Sequence, residues 1–173
     1  MPFPTGHTAI GFAVNEIMAG PNEEAWSWKK AAAITSLANL PDLDILVGLV
    51  FTGNGMIWHR GPSHSLLFCV AAAGIAWWLV RRGRLPSMGF AAILTILLSH
   101  VLADAVLTSG SVSLLWPLEV SWSGGFAGWS DIVYLALVRG LTDIGIVLVC
   151  AALILLTRSL RRARRVFPRS VER

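Results

Sequence analysis

The sequence predicts an all-α protein: a polytopic transmembrane helical bundle of about five membrane-embedded segments, one of them proline-broken, under a short extracytoplasmic cap. Three observations predict it. Hydrophobic residues make up 55% of the 173 and charged residues only 14%, against ~25% charged in a soluble domain, and the mean hydropathy is +0.66. Several apolar runs approach the ~20 residues that cross a hydrocarbon core. Basic residues cluster at the ends of those runs, as they do in proteins that orient themselves in a membrane. The length suits one membrane-embedded helical domain over residues 1–173.

Thr8 to Ala19 reads as a short helix ending at Gly20-Pro21. Ala31 to Phe51 is long enough to cross but is interrupted by Pro41, Asp42 and Asp44. Such a break is tolerated where the freed backbone lines a buried site. Ser65 to Val80, Gly89 to Leu107 and Leu141 to Thr157 are the three clearest spans. Residues 109–140, rich in glycine, serine and tryptophan, read as the cap, with Asp131 to Arg139 as a short surface helix. Residues 158–173 read as a basic cytoplasmic tail in contact with lipid.

Lys29-Lys30, Arg81-Arg82-Arg84 and the arginines of the tail all face the cytoplasm in one alternating topology, which leaves Arg60 and Arg139 outside. Trp26, Trp28, Trp77 and Trp78 then fall at the inner interface, and Trp58, Trp116, Trp122 and Trp129 at or beyond the outer one. A pI of about 9.8 invites a nucleic-acid partner. The placement of the basic clusters explains it as topology instead, so membrane lipid is the expected partner and nucleic acid is not. Cys69 and Cys150 lie in apolar runs without a CxxC partner and read as buried thiols. The N-terminus lacks the positive region and cleavage site of a secretory signal and is expected to be retained.

All four histidines sit in motifs that also hold carboxylates or hydroxyls: Thr5-Gly6-His7, Pro41-Asp42-Leu43-Asp44, His59-Arg60-Gly61-Pro62-Ser63-His64-Ser65, and His100 followed by Asp104. Ionisable groups within a membrane cost roughly 2.5–3.5 kcal/mol each, and so mark function. Counted at ~1.5 Å per helical residue from the basic ends of their segments, Asp42 lies about 18 Å up, His100 about 17 Å, His7 about 20 Å, Asp104 about 23 Å and His64 about 25 Å. The segments alternate in direction, yet the depths agree. His100 and Asp104, four residues apart, project from one helix face and suit a single ion.

Asp42 and Asp44 follow a proline, so one can ligate while the other supports or acts as base; either can also cap the apolar run that follows. The glycine-proline turn beside Arg60 suits a phosphate or carboxylate. His7 is a ligand or a helix-start residue. Asp143 shares the depth, but an acid also simply favours a first helical turn. Glu16 lies near the inner end and reads as structural or water-exposed. Glu119 and Asp131 belong to the cap and are read as non-ligands.

At these motifs, with Leu115-Trp116-Pro117-Leu118 after them, the chain resembles the YdjM-like family of LexA-regulated (SOS-response) bacterial inner-membrane proteins described as metal-dependent hydrolases. The resemblance covers most of residues 1–118. The motif order is also similar to the zinc-dependent phospholipase C and single-strand nuclease superfamily. That similarity implies His7, Asp42 or Asp44, His59 or His64, His100 and Asp104 as ligands, with Asp104 able to bridge. No histidine follows His100, so one or two ions are implied rather than three.

The expected protein is a multi-pass inner-membrane hydrolase of a lipid or other phosphoester, with its site toward the extracytoplasmic face. Histidines dominate the ligand set, which favours Zn2+ over magnesium. Asp42 or Asp44 serves as base or ligand, Arg60 steadies the phosphate charge, and Ser63 or Ser65 donates hydrogen bonds. The alternatives are a non-catalytic protein with a structural metal, and an ion or proton transporter using the same residues as a relay.

Overall fold

The computed structural model describes residues 3–19, 26–107, 110–118, 120–122 and 130–166, without the side chains of 130–140 and 164–166. Pro4 opens α1 (Pro4–Met18), where its missing N–H is no loss and its φ is already helical. Ser27 opens α2 (Trp28–Ala38), its hydroxyl accepting the Lys30 N–H at 3.2 Å. Asn39 to Asp42, with Pro41 at their centre, break the helix, and α3 (Leu43–Thr52) leaves at a bend of 59°. It closes on Gly53, whose φ of 70° suits a residue without a Cβ. A 3-10 turn, Pro62–His64, leads into α4 (Leu66–Arg81), capped by Ser65 through the Phe68 N–H at 3.1 Å. Two longer helices follow, α5 (Phe90–Leu107) and α6 (Ser130–Val166).

The protein is all-helical, as predicted, and each of the five apolar segments is helix. α5 forms the centre. Its Ile93, Ile96, Leu97, Val101 and Ala105 are buried among residues of α2 and α4, and it touches α1, α2 and α4, while α1 touches α2, α5 and α6. Among the described residues two stretches, α5 and Leu141–Ala163 of α6, are long and apolar enough to cross a membrane, and the bent α2–α3 pair adds a third if it forms one broken span rather than a re-entrant loop. The Ser65–Val80 segment is shorter than a clear span requires. α4 has 16 residues, about 24 Å of helix, because the polar turn that precedes it occupies the remaining depth.

A second difference lies in the cap. Asp131 to Arg139 is not a separate surface helix: its backbone is the first part of α6, continuous over 37 residues through Gly140 and Gly145. A glycine inside a helix costs only about 1 kcal/mol, too little to end one. The first residues of the expected tail, 158–166, continue the same helix.

Basic side chains collect at one end of the bundle, where cation–π pairs join Lys29 to Trp28, Arg81 to Trp77, Arg82 to Trp78 and Arg158 to Trp26. Glu16 is structural there and buried. It accepts from Trp26 Nε1 at 2.9 Å and pairs with Arg158 at 3.2 Å and Arg161 at 3.3 Å, while Arg161 also donates to the Glu16 carbonyl. At the other end Asp143 of α6 accepts from the Phe3 N–H at 3.1 Å and the Thr5 hydroxyl at 2.7 Å. α1 is thus tied to α6 at both ends.

Gly11 sets how closely α1 approaches α2. A Cβ there would lie 2.9 Å from the Ala38 Cβ and 3.3 Å from the Ile34 Cγ2, so only glycine lets these helices meet. Gly11→Val is expected to destabilise the bundle by about 1–3 kcal/mol. A thermal melt of the purified protein in detergent checks it, and an unchanged midpoint would show that the helices can part at no cost.

Candidate metal centre

The cluster is built from three separate parts of the chain. α5 presents His100 and Asp104 on one face, 1% and 0% exposed. His100 Nδ1–H donates to the Ala38 carbonyl at 2.7 Å, so its Nε2 carries the lone pair and faces the cluster. That carbonyl is available because α2 ends there, before Pro41. Asp42 stands at the N-cap position of α3 but makes no capping hydrogen bond. Its Oδ1 lies instead 3.4 Å from His100 Nε2 and 3.5 Å from His64 Nε2.

His64 arrives from the 3-10 turn, fully buried. Its Nε2 stands 3.3 Å from His100 Nε2 and 3.6 Å from Asp104 Oδ2. Its Nδ1 is 3.0 Å from Ser63 Oγ, and Ser63 donates its own proton to Asp44 Oδ2. In their neutral forms both imidazoles therefore turn lone pairs toward each other and toward two carboxylates. A metal ion, or a proton on one imidazole, could close such a group. His7 completes the surroundings: its ring stacks on His100 at 3.8 Å, and its Nε2 lies 3.3 Å from Asp104 Oδ1. Neither His7 nitrogen nor Asp42 Oδ1 makes a hydrogen bond.

The seven predicted ligands thus divide. Asp42, His64, His100 and Asp104 can hold a metal ion, with His7 alongside. Asp44 and His59 form a second group that shares His64 through its other nitrogen. There Asp44 already accepts from His59 Nδ1 at 3.0 Å, from the Arg60 N–H at 3.2 Å and from Ser63. These donors hold both of its oxygens, and it orders the 59–64 turn. Ser65 faces away from the cluster: its hydroxyl caps α4 and donates to the Pro62 carbonyl at 2.7 Å. Asp143 and Glu16 bind elsewhere, as described. Glu119 and the side chain of Asp131 lie outside the described residues.

Arg60 borders the cluster with its Nε 3.4 Å from Asp104 Oδ2. Its φ of 65° is unusual for a residue with a side chain, and such conformations persist where surroundings over-determine them. Here the Arg60 N–H is held by Asp44 and its carbonyl accepts the Ser113 N–H at 3.1 Å. The guanidinium lies on Gly110, where a Cβ would collide with it. The side chains of Arg60, Asp42 and Asp44, at 14%, 12% and 9% exposure, are the most accessible of these groups. They form the mouth.

Sequence reasoning missed three of these parts: the Ala38 carbonyl, Gly110 and Ser113. A backbone acceptor has no residue-type signal. Gly110 in a glycine- and serine-rich stretch looks like any loop glycine.

The family model described as YdjM inner membrane protein matches residues 1–165. No curated protein and no solved structure matches the chain.

Proposed function

Because the chain belongs to the YdjM inner membrane protein family, we propose that it is a membrane-bound, zinc-dependent hydrolase of a phosphoester or lipid. It crosses the membrane several times, with its basic end cytoplasmic and its metal centre toward the extracytoplasmic side. One observation carries the zinc reading. Ligands held at ~2.0–2.2 Å by a tetrahedral ion stand roughly 3.3–3.6 Å from one another. Four of the six separations among Asp42, His64, His100 and Asp104 are 3.3, 3.4, 3.5 and 3.6 Å, and all six lie within 4.8 Å.

Zinc bound there would supply a Lewis acid and lower the pKa of water toward ~7. His100 is oriented by Ala38, and His64 by Ser63 and Asp44, which fixes both tautomers for ligation. Arg60, at the mouth, binds the phosphate and offsets charge that develops on it. Asp44 accepts from His59 Nδ1 and so orients the His59 ring. Asp42 acts as ligand and Asp44 as positioning residue.

The test is metal content by elemental mass spectrometry, paired with turnover of chromogenic phosphodiesters and phospholipids before and after chelation. Stoichiometric zinc with chelator-sensitive turnover is expected. Stoichiometric zinc with no turnover on any phosphoester would favour the second reading, a metal that staples α2, α5 and the 59–64 turn; the burial of His64 and Asp104 is what supports it. A relay to the basic end has less support, since the buried apolar side chains of Ile34, Ile93, Ile96 and Leu97 lie on that side of the cluster. Asp44→Asn, which removes charge from the support but no direct ligand, is expected to weaken zinc about 10–100-fold. Competition with a zinc indicator reads it, and an unchanged affinity would remove Asp44 from the design.

A further inference from the structure

A cleft of about 660 Å³ opens at the basic end, and none of the metal-centre residues lines it. One wall is a stripe of α2, where Lys29, Ala32, Ala33, Ser36 and Leu37 recur at helical spacing, continued by Leu40 just past its end; the other is the 83–86 turn between α4 and α5. The space exists because Ala32, Ala33 and Ser36 are small where a Leu would fill it. Its two ends differ in chemistry. Lys29 and Arg84, both exposed, stand at the mouth beside the start of α2, and Trp28 is 76% exposed there. No acidic side chain lines the cleft among the described residues. Above the mouth the lining turns apolar through Leu37, Leu40, Leu85 and Pro86. From Lys29 to Leu37 the helical wall rises about 12 Å.

A basic mouth at one membrane interface, continued by an apolar channel toward the bilayer interior, has the shape and charge order of a phospholipid. We infer that this cleft binds one anionic phospholipid from the leaflet at the basic end. Its phosphate lies between Lys29 and Arg84, and one acyl chain runs along α2. The positive end of the α2 dipole and the two side chains favour an anionic headgroup over a zwitterionic one. The inference is independent of whether the metal centre turns anything over.

Native mass spectrometry of the full chain in detergent, titrated with phosphatidylglycerol, phosphatidylcholine or inorganic phosphate, tests it. One phosphatidylglycerol is expected to be retained in preference to phosphatidylcholine, and inorganic phosphate should not displace it. Joint Lys29→Ala and Arg84→Ala replacement should weaken retention roughly fivefold per charge removed. Ala33→Phe keeps both charges but fills the channel, and should weaken it at least as much. Arg162→Ala, an exposed basic change outside the cleft, should do nothing. Equal binding of phosphatidylcholine, displacement by inorganic phosphate, or wild-type retention by Ala33→Phe would each overturn the inference. Lys29 and Arg84 are exposed, so their double variant remains decisive if a filled cleft disturbs folding; unaltered retention by it is equally fatal.

Discussion

His100→Ala is expected to strip the protein of its metal, weakening zinc by more than the ~10–100-fold that loss of a supporting hydrogen bond brings. The substitution removes a nitrogen that lies 3.3 Å from His64 Nε2 and 3.4 Å from Asp42 Oδ1. It also leaves the Ala38 carbonyl without its donor and the buried Asp42 carboxylate without the metal. Stranding buried charge of this kind costs about 3–5 kcal/mol. The wild-type protein should therefore lose thermal stability on chelation, because a ligand that binds only the folded state stabilises it by mass action. The variant should melt low and be indifferent to chelator. Thermal melts with and without chelator, read beside metal content, decide the matter; a variant that keeps its zinc would dissolve the centre as described.

The second large effect is expected at Arg60, on turnover with metal retained. Arg60→Gly should lower turnover about 10²–10³-fold, the usual loss when a preorganised charge-stabilising donor is removed. Glycine accepts the φ of 65° without strain, so the backbone bonds to Asp44 and Ser113 can persist and zinc content should stay near wild type. Gly110→Ala should act in the same direction from outside, since its methyl would take the space of the guanidinium. Kinetics alongside elemental analysis separate the two roles. If turnover and zinc fall together, Arg60 is structural; if neither changes, it has no part in the site.

Much of the site was legible because helical geometry is local. His100 and Asp104 sit four apart, and any helix through them places both on one face. A rise of ~1.5 Å per residue put Asp42, His64 and His7 at a similar depth before any contact was visible. What could not be read was which way each polar group turns within the 39–64 region. Asp42 and Asp44 are equivalent by spacing. They differ because Ser63, His59 and the Arg60 N–H claim Asp44, while Asp42 is left facing His64 and His100. The continuity of α6 was missed for a similar reason: glycine-rich sequence signals a loop, but glycine alone does not break a helix.

By itself the chain's composition and periodicity determined an all-helical membrane protein carrying His and Asp motifs at one level. The tertiary structure alone decided the division into an inner quartet of Asp42, His64, His100 and Asp104 and a hydrogen-bonded support of Asp44, His59 and Ser63. The reason is physical. Burial depth follows from the rise of each helix, which neighbouring residues encode. The aim of a side chain in a turn depends on partners 15 to 36 positions away, and these meet only when the helices pack.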